Sequence, residues 1–257
     1  TLHPHAYSFL DAPIAHQELL GEDGLIDMGV NLNTQIPIGL SALTLSANAL
    51  RGDFSQSAHE HGAEDATTEE EPHHKIGFTG RASIFVPMGD YAGIEVGGSG
   101  LSGTIDENEN LKIQMFGADF KYRWAPDRRR SFTLQGEWIH SNRDTVEEAN
   151  EGESTRVIPL HEGEVIHEVS SNGAYVFADY RFRTRWNLGA IGEFSDFAEE
   201  EGSVWRAGVF GGFQLMEETS VVRLLLRHTD SDANEEPFNE AIVQFVFSLG
   251  PHRAHWF

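Results

Sequence analysis

Residues 59–75 read HEHGAEDATTEEEPHHK, and they hold the densest set of groups able to do chemistry in this chain. His59, His61, His73 and His74 stand among Glu60, Glu64, Asp65 and the run 69–71 of three glutamates. Neutral imidazole beside carboxylate suits Zn²⁺ or a similar divalent ion. His-x-His spacing in a tract too polar to bury itself gives flexible, weak capture rather than a rigid tetrahedral site. The competing reading is a solvated acidic loop that keeps a surface hydrophilic. Either way no cofactor is required, and weakly bound Zn²⁺ is the candidate ion. A second polar stretch, residues 142–170, adds His161 and His167 among many glutamates, with the same two readings.

Catalysis finds less support. His228 with Asp230 and Ser231, or His140 with Ser141, are the best pieces of a Ser/His/Asp site, and neither makes a demonstrable triad. Neighbours on a strand point to opposite faces, so His140 and Ser141 do not readily meet. No phosphate loop, dinucleotide fingerprint or zinc-protease motif is present. The expectation is a protein that is not an enzyme.

The elements that must carry these residues are strands of period two. Eleven are expected, beginning with 25–36 (Met28, Val30 and Leu32 opposite Asp27, Gly29, Asn31 and Asn33), 42–50 and 75–86, where Phe78, Ala82, Ile84 and Val86 oppose Thr79, Arg81 and Ser83. A glycine-rich strand over 91–102 follows. The fifth is clearest: Phe116, Ala118, Phe120, Tyr122 and Trp124 alternate with Gly117, Asp119, Lys121 and Arg123. The sixth sets Phe132, Leu134 and Trp138 against Glu137; then come 172–183, 186–194, a ninth with Trp205, Ala207 and Val209, a tenth with Val222, Leu224 and Leu226, and a last over 239–249. Tight turns at 37–41, 87–90, 126–130, 184–185 and 217–219 alternate with long polar loops. That rhythm, with one face suited to hydrocarbon and one to water, is the wiring of a transmembrane antiparallel up-and-down β-barrel. Residues 1–24 read as an extracellular loop segment with a helical turn around Ile14 to Leu20. Residues 25–257 read as the barrel, with long acidic extracellular loops at 51–74 and 142–170.

Composition agrees. The mean hydropathy of −0.37 is what a barrel with a wet lumen allows, and no apolar run approaches the roughly 20 residues of a membrane helix. A soluble β-sandwich with a Phe-rich interior also alternates, but it lacks the short–long rhythm of connections. Absence of cysteine excludes disulfide and thiolate chemistry. A formal net charge of −23 argues against nucleic acid as partner. Basic residues nevertheless sit on the polar parity: Arg81, Lys121, Arg123, Arg181, Arg183, Arg206, Arg223 and Arg227 are expected to line the lumen. Asp119, Glu137, Asp179 and Glu193 share that face and either pair with them to brace the wall or leave a transverse field across a pore. Tyr122, Trp124, Phe132, Phe182 and Trp186 gather at turn ends, as an interfacial aromatic girdle does.

Counting back from a C-terminus on the turn side puts the first strand's start outside, and closed barrels are normally even-stranded, so N-terminal strands are expected to precede residue 1. The opening HPHAYSFLDAP (3–13), the strand start GEDGLIDMGVNL and the ending FNEAIVQFVFSLGPHRAHWF (238–257) together resemble the C-terminal barrel portion of a Gram-negative outer-membrane family usually described as zinc-regulated, porin-like or TonB-dependent-receptor-like. The resemblance implies a location in the cell outer membrane, lipid and the barrel-assembly machinery as partners, and passage of small solutes or divalent cations. Phe245, Phe247, Leu249 and the terminal Phe257 are the expected assembly signal. Pro251, Arg253 and His255 interrupt its apolar alternation, and His252 and His255 either cap the strand or meet a metal ion. The function expected is a porin-like channel for small polar solutes, with zinc the leading candidate. The alternative is a structural or adhesive barrel with a closed lumen. Replacing His59, His61, His73 and His74 together by Ala is expected to abolish zinc binding in calorimetry, and unchanged binding would remove this loop from any metal chemistry.

Overall fold

The structure is a computed structural model that describes residues 10–21, 24–25, 27–52, 75–106, 111–148, 164–198, 201–216, 220–234 and 236–247. Within them eleven strands run up and down in one antiparallel sheet, each bonded to its neighbours in the chain. They are β1 (Gly29–Ile38), β2 (Ser41–Leu50), β3 (Gly77–Met88), β4 (Ala92–Asp106), β5 (Leu111–Asp127), β6 (Arg130–Glu148), β7 (Glu164–Phe182), β8 (Trp186–Asp196), β9 (Ser203–Met216), β10 (Ser220–Ser231) and β11 (Phe238–Phe247). The fold is all-β and β-barrel-like, as the alternation predicts. Its described strands form an open sheet with β1 and β11 at the edges, compatible with a barrel.

The tight connections are hairpins whose residues fit their backbones. Gly39 and Gly89 take φ of 62° and 71°, a left-handed conformation that costs glycine little. Between β5 and β6, Asp127 accepts the backbone N–H of Arg129 and pairs with the Arg130 guanidinium. These contacts, the backbone bond first, hold its carboxyl below the usual carboxylate range. Arg183, expected on the inner wall, instead occupies the β7–β8 turn with φ of 61°.

Register fixes two faces. On β5 to β7, Phe116, Ala118 and Phe120 align with His140, Trp138 and Gly136, and then with Asn172, Ala174 and Val176. That face, here the outer one, carries exposed Val209, Val243, Phe245 and Phe247 further along the sheet. The opposite, inner face carries one helix, α1 (Ile14–Leu20), at the helical turn expected from sequence. Ile14, Ala15 and Leu19 of α1 are buried. Leu19 joins Leu111, Ile113, Met115 and Ile139 in one apolar cluster, and Leu10 joins Tyr175, Phe177, Ile191, Phe210 and Leu225 in another.

The strands are longer than expected at their loop ends. β5 starts at Leu111, and the expected loop 142–170 is strand at both ends, since β6 continues to Glu148 and β7 begins at Glu164. The reason is a reversal of polarity. In LKIQM the alternation persists, but Leu111, Ile113 and Met115 are the buried inner residues, while Lys112 and Gln114 are exposed outside. The histidine-rich stretch 53–74 and the end 248–257, with Leu249 and Phe257, lie outside the described residues.

Phe210 and Val209 are chain neighbours on opposite faces, 2% and 52% exposed. Phe210→Ala is expected to cost about 3 kcal/mol or more by leaving a cavity among Leu10, Ile191 and Leu225. Val209→Ala is expected to cost at most about 1 kcal/mol. Denaturant unfolding of the two variants checks the contrast, and equal losses would contradict this assignment of faces.

Candidate functional site

A seven-residue helix is marginal on its own, so the wall must stabilise α1. No side chain of its own caps its start, where the backbone N–H of Ile14 instead donates to Glu193 Oε1 on β8 at 2.8 Å. At its other end Arg143 on β6 donates to the Leu19 carbonyl at 3.3 Å. A carboxylate at the N-terminus and a guanidinium at the C-terminus are the signs that the helix dipole favours. The extended approach to the helix is held too: Asp11 pairs with Arg227 on β10 at 2.7 Å, and Arg227 also bonds Glu240 on β11 at 2.8 Å. His16 Nε2 meets Glu137 Oε2 at 2.8 Å, with Tyr175 edge-on to the imidazole and its hydroxyl donating to the same carboxylate. Residues 10–20 thus form a strap seated across the inner wall from β5 to β11.

Close approach requires a gap in the wall. Gly173 supplies it, since a Cβ there would stand 2.7 Å from the Ala15 Cβ and 3.1 Å from Leu19 Cδ1.

Ten of the eleven expected lumenal residues face inward with the strap: Arg81, Asp119, Lys121, Arg123, Glu137, Asp179, Arg181, Arg206, Arg223 and Arg227. They are not alike. At mid-height charges are matched: Arg81 forms a two-point pair with Asp119 and also reaches Glu95, Glu137 engages His16, and Arg227 lies buried between two carboxylates. A guanidinium buried as that of Arg227 is stable only while paired. Arg206 stands opposite Glu193 in register, with its Nε buried and without a hydrogen-bond partner, so it is not matched as Arg227 is. Nearer the tight turns are Lys121, Arg123, Arg181 and Arg223, with Asp179 held by Asn187 at 2.9 Å.

The outer face is bounded by aromatic rows. At the turn end Tyr122 lies against Phe132, Tyr180 stacks on Phe182, and Trp186 meets Phe213 at 4.5 Å. At the loop end Trp138 stacks on His140, and Trp205 packs beside His228 while donating to Asp230 Oδ2 at 3.1 Å. His140 and His228 also bond Asn172 and Asn239. The histidines weighed as catalytic pieces therefore belong to this outer rim, and Ser141 and Ser231 point to the opposite face, buried.

Of the metal candidates, His59, Glu60, His61, Asp65, His73 and His74 all lie outside the described residues. Among the described residues no group of three or more His, Asp or Glu is placed to hold a metal ion. Phe245 and Phe247 point outward on β11, 64% and 67% exposed. The strap's seat was not legible in sequence, because its partners Glu137, Glu193 and Arg227 are more than a hundred residues away and are individually ordinary. Its one local signal is the apolar spacing of Leu10, Ile14, Ala15 and Leu19.

No protein-family model matches this chain. A protein of Aquifex aeolicus (strain VF5), described only as an uncharacterized protein, is 25% identical to it over 284 residues, covering 99% of this chain and 56% of that protein. The chain spans a little over half the length of the curated relative it matches.

Gly173→Leu is expected to unseat the strap and speed proteolytic cleavage within residues 10–20. Gly192→Leu, where a Cβ meets nothing within 4 Å, is the control expected to leave cleavage unchanged. Equal cleavage of the two variants would refute the seating.

Proposed function

We propose that this protein is an outer-membrane β-barrel that acts as a porin-like channel for small polar solutes, with the strap of residues 10–20 narrowing its lumen. The observation that carries this reading is the outer face. Large apolar side chains from Phe116, Trp138, Val176, Leu188, Val209, Leu224 and Val243 stand exposed across the adjacent strands β5 to β11, and a protein in water rarely exposes so broad a continuous patch. On β5 this face runs from Phe116 to Trp124, about 26 Å along the strand at ~3.3 Å per residue and about 20 Å along a normal tilted ~40°, most of the ~25 Å apolar height of a membrane barrel. Beyond it the outward residues turn polar together: Gln114 and Lys112, His140 and Asn142, Asp196, and His228 and Asp230. Aromatic rows at both borders fit two headgroup levels.

The inner face supports passage of polar solutes at the turn side, where polar and charged groups line it. The resemblance to zinc-regulated, porin-like proteins adds divalent cations to the candidate solutes, with the histidine-rich sequence of residues 51–74 as a capture device that raises their concentration. A second reading, a structural or adhesive barrel with a closed lumen, is favoured by one observation: the mid-height charges are paired and the strap fills the wall beside them.

Planar-bilayer recording distinguishes the two readings. The channel reading expects discrete conductance steps from the folded protein, enlarged several-fold when residues 10–20 are deleted. Silence from both forms would leave the structural barrel.

A further inference from the structure

Three of the charged wall groups that grip the strap have a second partner that stays on the wall. Arg227 holds Asp11 at 2.7 Å and keeps Glu240 on β11 at 2.8 Å. Glu137 holds His16 and keeps the Tyr175 hydroxyl at 3.2 Å. Glu193 gives Oε1 to the Ile14 N–H, and its second partner is Arg206, directly opposite on β9 and on the same inner face. Directly opposed residues stand about 5 Å apart at Cα, so a turn of the two side chains joins them. The main penalty for breaking a buried ion pair is the charge left bare. Departure of the strap leaves none of these three bare.

The docked state also leaves bonds unmade at one place. Arg206 Nε is buried without a hydrogen-bond partner among the described residues. Opposite it on β10, Thr229 is 2% exposed and its hydroxyl likewise has no partner there. A buried polar group loses its hydration with nothing in return unless a bond replaces it. With the strap away, Glu193 turns to Arg206 and water reaches Thr229. Release is opposed by the apolar seats of Leu10, Ile14 and Leu19. Apolar grip and polar release thus pull in opposite directions, which is the balance that an element with two positions needs.

We infer that Glu193 is an exchange latch: it caps α1 while the strap is docked and pairs with Arg206 when the strap leaves, so residues 10–20 are a movable gate rather than a fixed brace. Off the wall the helix unwinds, being too short to persist alone. The word gate rests on the channel reading, while the exchange itself stands on the geometry of wall and strap.

Thermolysin cleavage at the Glu18–Leu19 bond, read by mass spectrometry on the protein folded in detergent, reports how much of the strap is undocked. Arg206→Gln removes the partner that favours release and is expected to slow cleavage several-fold, with most of the native rate restored in Arg206→Lys. Glu193→Gln keeps an acceptor for the Ile14 N–H but loses the ion pair, so it slows cleavage as well. The double variant is expected to be no slower than the slower single one, because both remove the same pair. A guanidinium that only braces the wall predicts the opposite sign: Arg206→Gln is then cut as fast as the native protein or faster, and that result overturns the latch. Heat-modifiable mobility on gels verifies folding, and if Arg206→Gln does not fold, Glu193→Gln decides by the same sign. In planar bilayers the native channel is expected to switch between two conductance levels, with the larger occupied several-fold less in both variants. Silent bilayers with slowed cleavage overturn the channel and leave the latch, whereas conductance with unslowed cleavage overturns the latch and leaves the channel.

Discussion

The antiparallel backbone ladder is the constraint on which everything else here depends. Ten seams join the eleven described strands, and each must keep its neighbours in a register that sends alternate residues to the same side across the whole sheet. A slip of one residue at any seam would carry a strand's apolar set inward and its charges outward. The seams tolerate local irregularity only near strand ends, at 104–106, 124–127 and 220–221. Between those points the pairing of Phe116 with His140, and of His140 with Asn172, transmits one height of outer boundary from strand to strand.

The strap shows the same constraint from within. An isolated seven-residue helix does not hold its shape in water, and this one is completed at both ends by charges on the wall, Glu193 and Arg143. Its apolar face explains why the inner residues at the loop end, Leu111, Ile113, Met115 and Ile139, are apolar where a water-filled lumen would want them polar. Wall and strap thus specify each other: without the helix those side chains would face solvent, and without the wall the helix would not form.

Much of the fold was legible because the two faces of the sheet impose opposite chemistry on adjacent residues. FGADFKYRW announces both faces of β5 at once, and the eleven strands, their order and the inward parity of the arginines followed from such runs. What sequence concealed was everything that depends on height. Above Phe116 the alternation keeps its period but reverses its sense, so LKIQM does not continue the pattern that identified the strand, and the acidic ends of β6 and β7 resemble loop. Arg183 has the parity of a wall residue, yet the backbone has already turned at its position. The pairing of the inner charges at mid-height depends on partners such as Asp11 and His16, which reach the wall only through the strap.

The order of the strands has a further consequence. Because each described strand is bonded to those before and after it in the chain, the sheet is a series of repeated hairpins with no crossover among the described residues. Gain or loss of one hairpin during evolution would change the girth of the sheet by two strands and leave the remaining seams as they are. Descendants of such a scaffold can therefore differ in the width of the sheet while sharing recognisable stretches of it.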